Sequence, residues 1–173
     1  MMKQAQSQDS YDMLGLERQL CFPLYAASNL LGRVYRPLLD PLGLTYSQYL
    51  VMLVLWEEGP IHVGALAQRL YIDSATMTPI LKRMQDHGLL TRNRDQFDQR
   101  QVVVHLTPQG ESLKSRAQEI PQTLSNQIGD SLGQDAVEDL RTTVRDLVIL
   151  LAGNLNTPVG ATVQNSNATQ TLK

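Results

Sequence analysis

Two groups of side chains in this 173-residue sequence are able to do chemistry: one cysteine close to tyrosines, and a central run of basic and hydroxyl residues. Pro23 favours a helix that starts close to it, which would put Cys21 at the N-terminal end of that helix. The helix dipole there favours a thiolate, and a thiolate reacts with peroxide to form a sulfenic acid that condenses with another thiol. Because the chain contains one cysteine, the other thiol would have to come from outside.

Tyr35 shares a helical face with Cys21, but about 21 Å of helix separates the two residues, so they cannot touch within one helix. They would meet if two copies of the helix packed antiparallel about Ser28, where small side chains permit close approach. The phenol of one copy would then donate a hydrogen bond to the thiolate of the other and lower the pKa of the cysteine. The alternative interpretation is an inert core cysteine, with tyrosines that only fill an interface.

The segment from Asp73 to Gly88 has the pattern of a short amphipathic helix. Asp73 can cap its start, and Gly88 stands where a helix C-terminus favours a left-handed residue. Pro79 removes a backbone donor, so we expect a local bend there. The apolar face has the i, i+3, i+4, i+7 spacing and consists of Met77, Ile80, Leu81 and Met84. The opposite face carries Thr76, Thr78, Lys82, Arg83 and Asp86.

A charged β-hairpin is predicted directly after this helix, with strands at Leu90–Arg94 and Val102–Leu106 and a turn at Asp95–Gln99. A polar, basic helix followed by such a hairpin is typical of a winged helix-turn-helix protein. In these proteins the helix enters the major groove of DNA and the hairpin reaches the minor groove or the backbone. The alternative is an ordinary packing helix followed by a solvated loop. The arginines that cluster in the hairpin are Arg92, Arg94 and Arg100.

The remaining helices must position these groups, and the fold class that we expect is mainly α (α+β). A winged helix-turn-helix would span residues 45–107, starting with a capping box at Thr45 and Gln48. Long apolar stripes predict helices over residues 16–39 and 108–152, which would form a dimerisation region or, alternatively, pack onto the winged domain. The whole would be one domain over residues 14–153, with disordered ends at residues 1–13 and 154–173.

Charge and composition limit the class of protein. The net charge is −2, yet Ile61–Arg116 contains eight lysine and arginine residues against five acidic ones and is net positive by three. This asymmetry suits a DNA-facing region on an acidic body. A single cysteine excludes an internal disulfide and a cysteine-based zinc site, and we expect neither a metal nor a cofactor. The absence of a long apolar run and of a signal peptide predicts a cytoplasmic protein that does not use a membrane.

Three stretches of the chain resemble a known family. Asp98–Thr107 reads DQRQVVVHLT, which has the D-x-R-x-x-x-V-x-L-T wing pattern of the MarR family of bacterial regulators. The segments LCFPLYAAS and YRPLLDPLGLTYSQYL resemble the organic hydroperoxide resistance regulators within that family. The resemblance covers Leu14 to Leu151. Some of these regulators have a second, resolving cysteine in the first long C-terminal helix. Asn126 occupies about that region here, so the chain is similar to the one-cysteine type.

The resemblance implies roles for individual residues. Cys21 would sense peroxide, with Tyr35 and Tyr46 donating hydrogen bonds to it from the partner subunit and Tyr25 nearby in the same pocket. In the wing, Asp98 would orient Arg100 for insertion into the minor groove. The other predicted DNA-binding residues are Ser74, Thr76, Thr78, Lys82, Arg83, Arg92 and Arg94.

The expected protein is therefore a homodimeric repressor of a pseudo-palindromic DNA operator, released when an organic hydroperoxide oxidises Cys21, with an external low-molecular-weight thiol as co-reactant. One alternative is a repressor released by a small phenolic or carboxylate ligand, in which Cys21 is structural. Another is a thiol peroxidase, which the lack of a thioredoxin-like βαβ pattern and of a resolving cysteine disfavours. We therefore expect no enzymatic activity.

Overall fold

The computed structural model describes residues 14–155 of the chain. Two short 3₁₀ helices, Leu16–Arg18 and Asp40–Leu42, flank the first α-helix. The regular elements are, in chain order, α1 (Cys21–Leu39), α2 (Tyr46–Glu58), β1 (Ile61–His62), α3 (Val63–Arg69), α4 (Ser74–Asp86), β2 (Leu90–Arg94), β3 (Val102–Leu106), α5 (Pro108–Ala117), α6 (Ile120–Leu132) and α7 (Gln134–Leu155). The arrangement confirms the predicted fold class, a mainly α protein with a winged helix-turn-helix and long terminal helices.

The three strands form one antiparallel sheet in the order β1-β3-β2. The hairpin pairs Leu90 with Leu106 and Arg94 with Val102, which confirms both predicted strands. The two-residue strand β1 was not predicted, because a segment this short has no periodicity to read. It pairs Ile61 with Val104 and so fixes the wing to the loop before α3.

Helix α4 forms because the spacing of its apolar residues and the capping residue at its start favour the same helix. Met77, Leu81 and Met84 are fully buried in the core, as their spacing predicts. Asp73 caps the helix, since its Oδ1 accepts a hydrogen bond from the backbone N–H of Thr76 at 2.8 Å. Gly88 follows the helix with a left-handed φ of 72°, also as predicted. The face opposite the core is therefore held outward by packing and capping together.

The first helix is shorter than predicted: α1 begins at Cys21 and not at Leu16. Had the helix run on from Leu16, Pro23 would lie in its interior, where the ring clashes with the carbonyl of Gln19 and one hydrogen bond is lost. Starting at Cys21 puts Pro23 in the first turn, whose N–H groups have no helical partner in any case. The correction places the thiol at the first position of the helix.

The predicted helical stripe from Pro108 to Ile128 is also broken. Helix α5 ends at Ala117 and α6 starts at Ile120, so that Pro121 again lies in a first turn. The chain divides into two compact units directly after Pro121. The first unit contains the winged helix-turn-helix, and the second contains most of α6 and all of α7.

The ends of the chain bear on two other predictions. Helix α7 continues to Leu155, so the predicted tail does not start at Asn154. The predicted disorder of residues 1–13 and of 156–173 lies outside the described residues. Across residues 14–155, no single helix is long and apolar enough to cross a membrane. Two consecutive segments, Cys21–Leu42 and Tyr46–Glu58, which are bent by 68° relative to each other, reach that length and apolar composition only when they are taken together.

The close approach of α5 to the end of α4 depends on a glycine. A Cβ at Gly110 would overlap the carbonyl oxygen of Leu89 and lie 3.0 Å from Cδ2 of Leu106. We expect Gly110→Ala to lower the free energy of unfolding by about 1–3 kcal/mol, the usual cost of overpacking. Urea unfolding at fixed protein concentration measures the change.

Gly64→Ala is the matched control, because nothing lies within 4 Å of a Cβ at that helical position. It should be neutral or stabilise by up to about 1 kcal/mol. Equal effects of the two substitutions would contradict the packing argument.

Candidate functional site

The wing presents one arginine held by an acid, as the sequence predicts. The Oδ1 of Asp98 accepts hydrogen bonds from the backbone N–H and from Nε of Arg100, both at 3.1 Å, and its Oδ2 accepts a third from the guanidinium at 3.3 Å. The hydrogen bond from the Arg100 side chain is the main reason that the pKa of Asp98 lies below its usual value. The side chain of Arg100 is 91% exposed, so the pair directs a cation into solvent from a fixed backbone position.

The other two hairpin arginines have structural contacts. Nε of Arg92 donates to Gln85 at 2.6 Å and so joins strand β2 to helix α4. A guanidinium nitrogen of Arg94 donates to the carbonyl oxygen of Gln99 at 2.9 Å and closes the turn. Of the three predicted wing contacts, Arg100 is thus the one whose partner lies on its own loop and whose head group is directed outward.

The outward face of α4 offers hydrogen-bond acceptors as well as charge. The hydroxyl of Thr78 donates to the carbonyl oxygen of Ser74 at 2.8 Å, and the hydroxyl of Thr76 donates to Oδ2 of Asp73 at 2.9 Å. With their protons used inside the protein, both oxygens present lone pairs outward. Such acceptors match the amino groups of adenine and cytosine in the major groove. Ser74, Lys82 and Arg83 are exposed on the same helix.

Helix α4 and the wing share a cleft of about 460 Å³. Thr78 from the helix, Arg92 and Arg100 from the wing, and His62 from β1 all line it. The structure therefore brings together residues from both predicted DNA-binding elements, with their cations around one concave surface. A surface of this kind suits a phosphate backbone that passes between helix and wing.

One contact that positions the wing was not predicted from the sequence. His62 Nε2 and Asp95 Oδ2 lie 2.9 Å apart and connect β1 to the start of the hairpin turn. The pKa of Asp95 is lowered, first by the hydrogen bond from the backbone N–H of Phe97 and then by the bond with His62. An aspartate at a turn is a local signal for such backbone bonds. Its pairing with His62, 33 residues away, has no local signal.

The thiol of Cys21 is exposed at the first position of α1. Tyr25 lies one turn further along the same face and is 68% exposed. Tyr35 lies on the same helix, near its other end. About 21 Å of helix separates Cys21 from Tyr35, so one protomer alone does not bring the thiol to this phenol.

Tyr35 and Tyr46 belong to a cluster of three aromatic rings. Their ring centroids are 4.9 Å apart, and Tyr49, which the sequence analysis did not select, lies 5.8 Å from Tyr35. Burial, followed by the charges of Tyr46 and Tyr49, raises the pKa of Tyr35 to about 12, and burial also raises the pKa values of Tyr46 and Tyr49. The phenols of the cluster are therefore neutral at physiological pH, so that each hydroxyl has a proton to donate.

Comparison with known proteins identifies the chain. The sequence model of the MarR family matches residues 44–102, which include α2, the helix-turn-helix and the wing up to the start of β3. An organic hydroperoxide resistance transcriptional regulator of Bacillus subtilis is 47% identical over 130 residues, which cover 73% of this chain and 88% of that protein. The chain belongs to the MarR family.

Two solved structures of another regulator, AbfR, extend the likeness of this MarR-family chain to three dimensions. Reduced AbfR bound to DNA superposes with a TM-score of 0.61 at 36% identity, over 77% of this chain and 96% of that one. Overoxidised AbfR bound to DNA superposes with a TM-score of 0.60 at 35% identity, over 77% and 95%. A further AbfR structure is described as coming from Staphylococcus epidermidis.

The MarR-family chain shows no group of three or more potential metal ligands among residues 14–155. The predicted sensing residues divide into the exposed pair Cys21 and Tyr25 at one end of α1 and the half-buried Tyr35 and Tyr46 at the other. The predicted DNA-binding residues all lie on α4 or the wing.

The raised pKa of Tyr35 has a consequence for stability. Between pH 10 and about 12 the folded protein keeps a proton that the unfolded chain loses, so the free energy of unfolding should fall as the pH rises through that window. Tyr35→Phe removes the proton and should make the fall shallower. Chemical unfolding at a series of pH values from 8 to 12 measures both slopes.

Tyr71→Phe is the control, because Tyr71 is 66% exposed and lies outside the ring cluster. It tests whether the loss of any one phenol has the same effect as the loss of Tyr35. The burial argument fails if Tyr35→Phe leaves the alkaline slope unchanged.

Proposed function

We propose that the chain is a homodimeric transcriptional repressor that acts in the cytoplasm and is released from its operator when an organic hydroperoxide oxidises Cys21. The observation that carries the proposal is the geometry of α1, which exposes the thiol at one end and joins the phenol cluster at the other. The identity of 47% to an organic hydroperoxide resistance regulator supports the choice of signal. In the reduced state the two α4 helices of the dimer would enter successive major grooves of a pseudo-palindrome.

Exposed apolar side chains support a dimer. No residue of α7 is buried within residues 14–155, although the helix has the apolar stripe predicted from its sequence. Leu140 and Leu151 on that stripe are 52% and 51% exposed, and Leu20, directly before α1, and Val34 on α1 are also exposed. Apolar faces of this extent on two long helices favour burial against a second copy. An antiparallel pair of α1 helices would bring Cys21 of one chain to Tyr35 of the other.

The proposed reaction is a two-electron oxidation of sulfur. The thiolate of Cys21 attacks the outer oxygen of the hydroperoxide, the O–O bond breaks, and the organic fragment leaves as an alkoxide that is protonated to the alcohol. The sulfenic acid then reacts with an external low-molecular-weight thiol, which forms a mixed disulfide and releases water. The neutral phenols of Tyr35 and Tyr46, with Tyr25 beside the sulfur, would stabilise the thiolate that starts the sequence.

Release would follow from the size of the adduct. A mixed disulfide does not fit where a thiolate met two phenols, so the subunits shift and the spacing of the α4 helices no longer matches the grooves. Overoxidised AbfR is found bound to DNA, which supports the view that overoxidation alone does not suffice for release of that regulator. We therefore assign the larger effect to the mixed disulfide. The oxidation site at Cys21 and the DNA-binding surface of α4 would thus be coupled through the dimer interface.

A second candidate function has one observation in its favour. A cavity of about 460 Å³ between α2 and α5 is lined by apolar side chains, with Lys114 and Glu57 among its walls. Tyr49 also lines it, and its buried hydroxyl has no hydrogen-bond partner among the described residues. A small phenolic or carboxylate ligand could meet both Tyr49 and Lys114, in which case Cys21 would be structural. Release of DNA by salicylate without peroxide would favour this candidate.

The role of Cys21 can be tested on a duplex that the reduced protein selects from a random-sequence pool. One equivalent of cumene hydroperoxide with excess glutathione should raise the dissociation constant at least about tenfold, as a coupling free energy of ordinary size requires. Cys21→Ser should bind the same duplex and not respond. Fluorescence anisotropy gives the dissociation constants, and mass spectrometry identifies the adduct.

In a matched experiment, excess peroxide without glutathione overoxidises Cys21 and should raise the dissociation constant less than peroxide with glutathione does. Release of the Cys21→Ser protein would place the sensor elsewhere. Repeated turnover of peroxide at the expense of the added thiol would instead favour the peroxidase alternative.

The wing pair makes a separate prediction. Arg100→Ala should weaken binding and reduce the slope of log K against log salt by about one per protomer, because one phosphate contact is lost. Asp98→Asn keeps the cation but weakens its anchor, so affinity should fall while the slope stays close to that of the wild type. Anisotropy titrations at several salt concentrations measure both quantities.

Arg141→Ala is the charge control, since Arg141 lies on α7 and pairs with Glu138. Its salt slope should be that of the wild type. An unchanged slope for Arg100→Ala would rule out the proposed phosphate or minor-groove contact.

A further inference from the structure

The tip of the wing exposes a large apolar side chain. Phe97 is 98% exposed, the highest value among the large apolar side chains of residues 14–155. Isolated apolar residues on a surface are ordinary, but most of them retain contact with neighbouring side chains. Phe97 makes almost no such contact and occupies the outermost point of a hairpin that the proposed function directs at DNA.

The loop that carries Phe97 is well ordered by hydrogen bonds. Asp95 Oδ1 accepts from the backbone N–H groups of Phe97 at 2.7 Å and Asp98 at 3.1 Å. The side-chain amide of Gln99 donates to the carbonyl oxygen of Asp95 at 2.9 Å. Asp95 is itself joined to His62 of β1 at 2.9 Å. The ring is thus presented by a braced turn, which lowers the entropy cost of using it in binding.

The charges around Phe97 are largely compensated within the wing. Asp98 holds the guanidinium of Arg100. The segment from Arg94 to Arg100 contains two arginines and two aspartates, so its formal net charge is zero. A neutral tip gains little from phosphate attraction alone. An apolar ring would supply a contact that does not depend on charge.

We propose that Phe97 enters the minor groove of DNA beside Arg100 and packs its ring against deoxyribose and base edges; this inference rests on the proposed DNA-binding function. Apolar wedges are used in this way by proteins that bind the minor groove. In this arrangement Arg100 makes the ionic contact of the wing, and Phe97, three residues before it, makes an apolar one. A contact that buries roughly 60 Å² of the ring corresponds to about tenfold in the dissociation constant.

The test compares Phe97→Ala with Gln96→Ala on the duplex selected by the reduced wild-type protein. Phe97→Ala should bind about tenfold more weakly, with the same salt slope as the wild type, because no phosphate contact is removed. Phe97→Tyr, which keeps the ring, should restore most of the affinity. Gln96→Ala removes the neighbouring exposed side chain and should bind as the wild type does.

A second readout locates the contact. Hydroxyl-radical footprinting should show that Phe97→Ala loses protection of the deoxyriboses under the wings while the central pattern is kept. Dissociation constants within twofold for Phe97→Ala and the wild type would overturn the proposal, as would a reduced salt slope. An unchanged footprint under the wings would also overturn it and would leave a protein partner as the use of the ring. Failure of the wild-type protein to select any duplex would instead refute the proposed function.

Discussion

The rigidity of helix α1 is the constraint on which the rest depends. Cys21 and Tyr35 lie on one uninterrupted helix, so about 21 Å separates the thiol from the phenol on which its reactivity is proposed to depend. No side-chain rotation closes such a gap. A contact between them therefore needs two chains, and in the proposed dimer a chemical change at the sulfur would act on the interface between those chains. The length of a helix would in this way link sensing to dimer geometry.

The far end of α1 is joined to the DNA-binding part by a short path. The ring of Tyr35 packs on Tyr46 and Tyr49, which belong to α2, and α2 contributes Val51, Met52 and Leu55 to the core that also buries α4. A displacement at Tyr35 therefore reaches the recognition helix through packed side chains and one helix. Because a close-packed core responds by moving whole elements, a local adduct is expected to change the position of α4 and leave its internal structure intact.

Local signals in the sequence predicted most of the helix-turn-helix and the wing. The cap at Asp73, the capping box at Thr45 and the two hairpin strands follow from residues within a few positions of one another. Two of the errors in helix bounds came from Pro23 and Pro121, whose preference for a first turn decides where α1 and α6 start. In both places the apolar periodicity of the sequence continues past a proline that does not fit the interior of a helix.

Contacts between residues far apart in the chain could not be predicted from the sequence. The pairing of His62 with Asp95 and the strand β1 need the folded chain to bring distant segments together. Tyr71 adopts a left-handed φ of 53° in the turn between α3 and α4, a conformation that glycine or asparagine would have signalled. The candidate site likewise has a part that could be predicted from the sequence and a part that could not. Its DNA-binding face was predictable from periodicity, whereas the third ring of the tyrosine cluster was recognised only from its distance to Tyr35.

The electrostatics of this chain differ from those of a strongly basic DNA-binding protein. Its net charge is −2, and two cations of the winged part are paired with acids: Arg69 with Glu58 and Arg100 with Asp98. Phosphate contacts are thus left to the few cations of α4 and the wing. Affinity then has to come in larger part from shape, from the acceptor hydroxyls of α4 and from apolar contact. In a protein of this charge, an exposed phenylalanine at the wing tip compensates for what the phosphate contacts do not supply.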